Sequence, residues 1–569
     1  MRKKDIITKL TVDNEIFTDQ TDIANEFIKY FSNIGSDLDS RLPHNNLSPL
    51  QYITPNPHSF FLSPITITQC SQIIRSLKNT RTDVNAMPVK IFSSQYNSLA
   101  EPLTTLINAS FSIGYFPKAL KLARVTPVHK GGSKDDPSNY RPISSLPYLS
   151  KVFERCMTNK LTSFFDTFSI ISKSQFGFQK NISTSDALFK LTEIIFKSLD
   201  SMKHHISILI DLKKAFDTMN HNILIQKLEL YGIRQLPLKW IGSYLCNRSS
   251  CVGLGGTCSR QEFTNIGIPQ GSIIGPILFL IYINDLPNVS PILDTTLFAD
   301  DTTISVSDTN YDELIHKTNT ELIKINDWTI SNRLTVNVDK TETILVTNRP
   351  SAITQQSYVQ LNGENIMFSP HCKFLGTFLD NKLNFDKQVT HIIGKLSRGA
   401  GILYKIKDQL PVQARINYYY GMLYPFMSYN ILIWGSTYNR HIEPLFIQQK
   451  RIIRIIANAK FLDHTSPLFK KYEILKLNDI YKFHLLVHTH KAVSENVYNA
   501  PHDRNTRYRN LARPVDHRLT HTRHAVSHMG PKEWNKLPVE LRNIVSLKCF
   551  KKHLKKYLMK DYDPDHAGT

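Results

Sequence analysis

The chain has 569 residues, with 69 Lys and Arg against 48 Asp and Glu, a formal charge of +21 and a hydrophobic content of 41%. That balance excludes a disordered or collagen-like polymer, the longest apolar run (Ile277 to Ile283) is too short to span a bilayer, and the excess of cations suits a phosphate-rich partner. Seven cysteines without regular pairing exclude a disulfide framework.

The N-terminus, MRKKDIITKL, lacks the apolar core of a signal peptide, so an intracellular protein of the nucleus or cytoplasm, without membrane contact, is expected. Residues 14 to 36 carry Ile23, Ala24, Phe27, Ile28 and Phe31 at helical spacing behind a Thr21-Asp22 cap. Residues 42 to 64, rich in Pro, Asn and Ser, read as a loop. Two further helices follow, one with Ile73, Ile74 and Leu77, the other from Ala100 to Ile113 and ended by Gly114. A short β run from Ala123 then feeds a loop carrying Lys130, Gly131, Gly132 and Lys134, which fits an anion site or a solvated basic turn. A helix from about Leu149 to Leu161 comes next.

Residues 205 to 211 form a nearly continuous apolar run ending in Asp211. This suits a buried strand whose terminal acid needs a partner, a metal or a cap to offer. Leu224, Leu228 and Tyr231 mark a helix stopped by Gly232, and 249 to 266 read as a hairpin around Gly253-Leu-Gly-Gly. Cys246, Cys251 and Cys258 lack the spacing and the His of a zinc knuckle. Gly267-Ile-Pro-Gln-Gly-Ser opens an apolar helix, and its free N–H groups would suit a phosphate or an ordinary tight turn.

Asp300 and Asp301 are adjacent, between the β-prone runs Thr295 to Ala299 and Thr303 to Val306. Neighbouring side chains of a continuous strand point apart, so a tight turn at the pair is needed to aim both at one site. Alone, the pair fits an acidic turn as well as a cation site. Tyr311 to Leu334 is an amphipathic helix; a turn and strand from Asn337, and a short strand from Lys373 to Asp380, follow. From 386 to 460 the pattern is helical and basic, with Arg415 among the cations and Tyr418, Tyr419 and Tyr420 interleaved, which suits phosphate contacts with base stacking or a solvated helix face. Residues 500 to 528 read as an Arg- and His-rich loop. His484, His488, His517, His521, His524 and His528 bring no Cys with them, which argues against zinc. A Lys-rich amphipathic helix with Phe550, Leu554 and Leu558 on one face closes the chain.

Asp211 at a strand end, the Asp300-Asp301 pair and a basic chain together fit a two-metal phosphoryl-transfer site, in which carboxylate oxygens select Mg²⁺. The ordered set Asn139-Tyr-Arg-Pro-Ile-Ser, Gln175-Phe-Gly-Phe, Asp211-Leu-Lys-Lys-Ala-Phe-Asp217, Gly267-Ile-Pro-Gln-Gly-Ser, Phe298-Ala-Asp-Asp and Lys373-Phe-Leu-Gly resembles the reverse transcriptase of non-LTR (LINE-type) retrotransposons, of the jockey-like branch. Six motifs in order, over roughly residues 123 to 376, carry the resemblance. It implies an α+β right-hand polymerase of palm, fingers and thumb with helical N- and C-terminal extensions. The expected division is 1–110 for the N-terminal extension, 111–378 for fingers and palm, 379–460 for the thumb and 461–569 for a basic C-terminal region.

By the same resemblance Asp211, Asp300 and Asp301 are catalytic and hold two Mg²⁺ ions. Phe216 excludes a ribose 2′-hydroxyl, and Lys130 and Arg141 reach the triphosphate. Gln270 and Gly271 line the nucleotide and template pocket, Lys340 protonates pyrophosphate, and Leu375 and Gly376 lie in the turn that grips the primer end. The partners implied are an RNA template, a DNA primer or target and dNTPs. The stretch ahead of the motifs leaves no room for the upstream endonuclease usual in such elements, so a 5′-truncated copy, a gene-model fragment or reliance on a separate endonuclease is expected. Neither a Cys/His knuckle nor an acidic set after the thumb that would suggest an RNase H is expected. A catalytically inactive nucleic-acid-binding derivative is the alternative class. A group II intron-type enzyme would share the palm, but the Gly530-Pro-Lys-Glu-Trp-Asn-Lys-Leu-Pro segment argues against it.

Overall fold

The strand His204–Ile210 is buried at every position, as a near-continuous apolar run predicts for a strand covered on both faces. In the computed structural model, which describes residues 7–43, 45–77, 89–350, 357–495, 497, 512–515, 517–519 and 522–562, it belongs to a four-stranded antiparallel sheet. The order across that sheet is Glu342–Val346, His204–Ile210, Asp301–Asp308, Asp294–Phe298. Alternate side chains leave a strand on opposite faces. Ile206, Ile208 and Ile210 enter one hydrophobic core and Leu209 a second. The first core is completed by helices such as Tyr96–Ile113, Tyr148–Thr167, Gly275–Tyr282 and Tyr311–Ser331, the second by Thr184–Asp200, Asp386–Ile406, Asn439–Ala457 and Leu477–Ser494. The fold is mixed helix and sheet, α+β.

A second sheet pairs Leu122–His129 antiparallel with Tyr140–Ser145 and parallel with Arg248–Leu254. Helix Gln20–Ser40 lies against it through Ile23, Ala24, Phe27 and Ile28, which meet Val125, Tyr140 and Val252. The N-cap is Asp19, whose side chain accepts from the Thr21 and Asp22 amides, not the Thr21-Asp22 pair expected. An unexpected hairpin, Leu10–Val12 with Glu15–Phe17, turns on Asp13 and Asn14, both with positive φ. Asn and Asp are the non-glycine residues that best tolerate this conformation.

The stretch Lys373 to Asp380, expected from its pattern as one strand, is a hairpin of His371–Phe374 and Thr377–Asp380, with Leu375 and Gly376 in a turn as the resemblance implies. Helix Leu547–Leu558 buries Phe550 and Leu554 against Trp534 and Leu486. Asp200 accepts hydrogen bonds from His517 Nδ1, the Leu519 amide and Thr522 Oγ1, which pins the C-terminal region to helix Thr184–Asp200. His488 packs on Phe189. Among the described residues no group of three or more His, Cys, Asp or Glu is placed to hold a metal ion; His521 and residues 500–511 lie outside them. The seven cysteines are free thiols, and no described helix is long and apolar enough to cross a membrane.

Candidate active site

Asp211 comes directly after the central strand, and two ladders meet there. Thr302 opposes Ile210, and Glu342 opposes Leu209. Continued past Ile210, these registers bring Asp301 level with Asp211 on one side and Lys340 on the other. Asp301 itself pairs with Phe298, so the expected acidic turn divides. Asp300 stands in a two-residue loop with Ala299, and Asp301 is the first residue of the returning strand. Ala299 has φ 55°, a left-handed conformation that costs a non-glycine residue roughly 1–2 kcal/mol. It is held by Gln175, whose Oε1 accepts from the Ala299 amide (2.9 Å) and the Gly177 amide (2.7 Å). A Cβ at Gly177 would stand 2.3 Å from the Ala299 nitrogen. The Gln175-Phe-Gly-Phe motif is therefore the brace of the Asp300 loop.

Two cavities meet at Asp211 and Lys340. The larger, about 720 Å³, is lined by Lys130, Arg141, Phe216, Gln270 and Asp300 together with Lys214, Asn337 and, from the N-terminal helix, Tyr30 and Arg41. The smaller, about 250 Å³, is lined by Asp301, Lys373, Leu375 and Gly376. Phe216 stacks on Phe279 with centroids 4.5 Å apart. Gly271 lines neither cavity. Its φ is 122°, and a Cβ there would stand 2.5 Å from the Ser144 carbonyl oxygen, so it lets the Gln270 segment close on the second sheet, where the Ser144 amide donates to the Gln270 carbonyl (2.8 Å).

Like charges are crowded on both sides of the larger cavity. Asp300 is exposed as a residue, but the protein around its carboxyl displaces enough solvent to raise it, and the Asp211 charge adds to it. Asp301 is pushed up to about 6, by burial first and then by Asp300 and Asp211. Lys130 is held below the ordinary lysine range by burial and then by the charges of Lys214, Arg141 and Lys340. Such an arrangement is relieved by a bound cation on the acidic side and an anion on the basic side.

Several residues the sequence reading passed over shape the site. Asn337 bonds Asp211 twice, and Lys214 joins the cationic wall. The amides of Ile273 and Ile274, expected as free donors, bond the buried Glu154 Oε2 at 2.6 and 3.4 Å, and Ser272 Oγ takes the Gly275 amide. The donors at the opening of helix Gly275–Tyr282 are thus used within the protein. Tyr419 is fully buried, with its hydroxyl accepting from Gln449, and the Arg415 guanidinium is buried against the Ile455 carbonyl. Neither is placed to meet nucleic acid.

Residues 128–379 match the family described as reverse transcriptase (RNA-dependent DNA polymerase). The chain is 27% identical over 389 residues to the RNA-directed DNA polymerase from mobile element jockey of Drosophila melanogaster, covering 66% of this chain and 42% of that protein. It is 28% identical over 393 residues to the probable RNA-directed DNA polymerase from transposon X-element of the same species, with coverage of 66% and 42%. The jockey protein of Drosophila funebris is 24% identical over 441 residues, with coverage of 75% and 47%. The chain thus spans less than half the length of these relatives.

Proposed function

We propose, from the match of residues 128–379 to the reverse transcriptase family, an RNA-directed DNA polymerase of the jockey-like, non-LTR kind, which extends a DNA primer 3′-hydroxyl on an RNA template and releases pyrophosphate. The observation that carries this reading is the meeting of two crowded charge sets where the two cavities join at Asp211 and Lys340: Asp211, Asp300 and Asp301 against Lys130, Arg141, Lys214 and Lys340. A nucleoside triphosphate with divalent cations relieves both sets at once, and phosphoryl transfer asks of a protein chiefly positioning and charge neutralisation.

The donor set fits Mg²⁺. The oxygens are hard carboxylates, and their mutual repulsion calls for a countercharge. When bound, two Mg²⁺ ions would supply activation of the attacking hydroxyl and stabilisation of the leaving oxygen. Asp211 and Asp300 are the direct ligands in this reading, and Asp301 completes the set. Lys130 and Arg141 hold the triphosphate, and Phe216 closes the space a 2′-hydroxyl would need. Gln270 and Gly271 shape the nucleotide pocket, Lys340 protonates the departing pyrophosphate, and Leu375 and Gly376 hold the primer end.

Fingers and palm then occupy 111–378, a thumb 379–460, a helical extension 1–110 and a basic region 461–569. The primer is a DNA end opened by an endonuclease within the cell. Purified protein with a primed RNA template, dNTPs and Mg²⁺ tests the reading beside Asp300→Ala. Extension by the wild type alone supports it; template binding without extension by either protein overturns it in favour of a non-catalytic binder.

A further inference from the structure

Leu375 and Gly376 turn the hairpin of His371–Phe374 and Thr377–Asp380 with φ of 44° and 79°. A turn left-handed at both central positions suits Asn-Gly or Asp-Gly, and the β-carbon of a leucine opposes it. The turn also borders the carboxylates, since Leu375 lines the smaller cavity with Asp211 and Asp301. Its support comes from Tyr429 and Asn430, the corner between helices Tyr424–Ser428 and Ile431–Trp434. The Tyr429 hydroxyl donates to the Leu375 carbonyl at 2.8 Å, and a Cβ on Gly376 would stand 3.4 Å from the Tyr429 ring. Buried Asn430 donates from Nδ2 to Thr377 Oγ1 (2.8 Å) and accepts at Oδ1 from Ser185 Oγ (2.6 Å). Behind the corner, the buried Trp434 gives its Nε1–H to the Tyr429 carbonyl (2.9 Å). Ser185 belongs to helix Thr184–Asp200, which follows the Gln175 brace of the Asp300 loop. One corner therefore ties the turn beside Asp301 to the segment that holds Asp300.

We propose that Tyr429 is a positioning residue whose hydroxyl fixes the Leu375-Gly376 turn, and with it the primer 3′-hydroxyl, relative to the three carboxylates. The inference rests on the polymerase reading. Tyr429 itself is exposed, so its hydrogen bond adds little to the stability of the fold, and its effect lies in where the turn sits. The nucleotide side is separate: Leu375 and Gly376 line the smaller cavity, whereas Lys130, Arg141 and Phe216 line the larger. Loosening the turn therefore costs rate and not nucleotide binding. A displaced attacking group loses its alignment while the contacts to the triphosphate stay as they were.

Tyr429→Phe removes the hydroxyl and keeps the ring against Gly376. Single-turnover extension of a primed RNA template is measured over a range of dNTP concentrations, because its rate constant does not depend on how much of the protein is folded. The maximal rate falls about three- to tenfold, the worth of one hydrogen bond. The half-saturating dNTP concentration stays within about twofold, and the urea midpoint is unchanged. Thr184→Val is the control: Thr184 Oγ1 lies 3.2 Å from the same hydroxyl but outside the turn, and this variant extends at the wild-type rate. A Tyr429→Phe rate within about twofold of wild type overturns the proposal, as does an equal loss in Thr184→Val. A rise of about tenfold in half-saturating dNTP also overturns it, since the effect then lies in the larger cavity. Absence of extension by the wild type overturns the polymerase reading and this one with it.

Discussion

Asn337 grips Asp211 at both ends: its backbone N–H donates to the Asp211 carbonyl at 2.8 Å, and its Nδ2 donates to Asp211 Oδ2 at 2.8 Å. One carboxylate oxygen is thereby oriented by a neutral donor, and the other is left to the cavity. Partners of this kind fix the geometry of a ligating group and affect activity about 10–100-fold when removed. Asn337→Ala lowers kcat for primer extension within that range. Asn337→Asp, which replaces the donor by a fourth carboxylate, lowers it further. Single-turnover extension at saturating dNTP checks both, and an Asn337→Ala rate within twofold of wild type refutes the assignment.

The central strand was legible because burial on both faces selects an unbroken apolar run, whereas the acid at its end fitted a cap as well as a site until it was joined to the other motifs. The acidic pair was legible as a turn, but its division was not, since which Asp begins the strand depends on the Asp301–Phe298 register. The same limit hid Asn337, whose partner lies 126 residues away. Leu375 turning a hairpin with φ 44° gives no local signal, because turns of this kind usually carry Asn, Asp or Gly at that position. The segment after the Gly267 to Ser272 turn left two readings open for a different reason: the acceptor of the Ile273 and Ile274 amides, Glu154, sits on a helix far back in the chain.

Lys227 and Asp285 form an ion pair with both side chains fully buried. Lys227 Nζ also donates to the Tyr282 carbonyl (2.7 Å), and Trp328 Nε1 to Asp285 Oδ2 (2.9 Å). Breaking such a pair from one side strands a buried charge and costs about 3–5 kcal/mol, whereas replacing both partners with apolar groups costs far less. Lys227→Met is destabilised by that amount in urea unfolding, and Lys227→Met with Asp285→Leu recovers at least half of the loss. Equal midpoints for the single variant and wild type count against a charged pair.

Burial pushes the Asp217 carboxyl up to about 6 from its ordinary 3.8, against the pull of Gln270, Lys214 and Lys130. A carboxyl raised on folding favours the folded state while it is protonated. Its contribution is complete below pH 3.8 and is lost as pH rises through about 6, amounting to at most about 3 kcal/mol at 1.36 kcal/mol per unit. Asp217→Asn is neutral throughout, so it melts above wild type at pH 8, and the gap narrows as pH falls toward 5. Parallel melting curves with a pH-independent gap contradict the raised value.

The Phe216 ring forms part of the wall of the larger cavity and is backed by the Phe279 ring at 4.5 Å with an interplanar angle of 25°. A ring supported from behind cannot retreat when a bulkier sugar enters, which is what an excluding wall requires. Phe216→Val removes the ring face and leaves a β-branched stub against Phe279. The expected change is a rise of ten- to a hundredfold in the kcat/KM for ribonucleotides relative to deoxynucleotides, the discrimination that a contact of about 1–3 kcal/mol supplies. Stability falls by about 1–2 kcal/mol, since the site is only half-buried. Phe279→Leu separates wall from backing: Phe216 is retained but freed to move, so discrimination weakens by a smaller factor while the cavity lining is otherwise unchanged. If Phe216→Val leaves the sugar preference unaltered in extension assays with mixed nucleotides, the ring does not exclude the 2′-hydroxyl, and Phe216 is a packing residue of the first core.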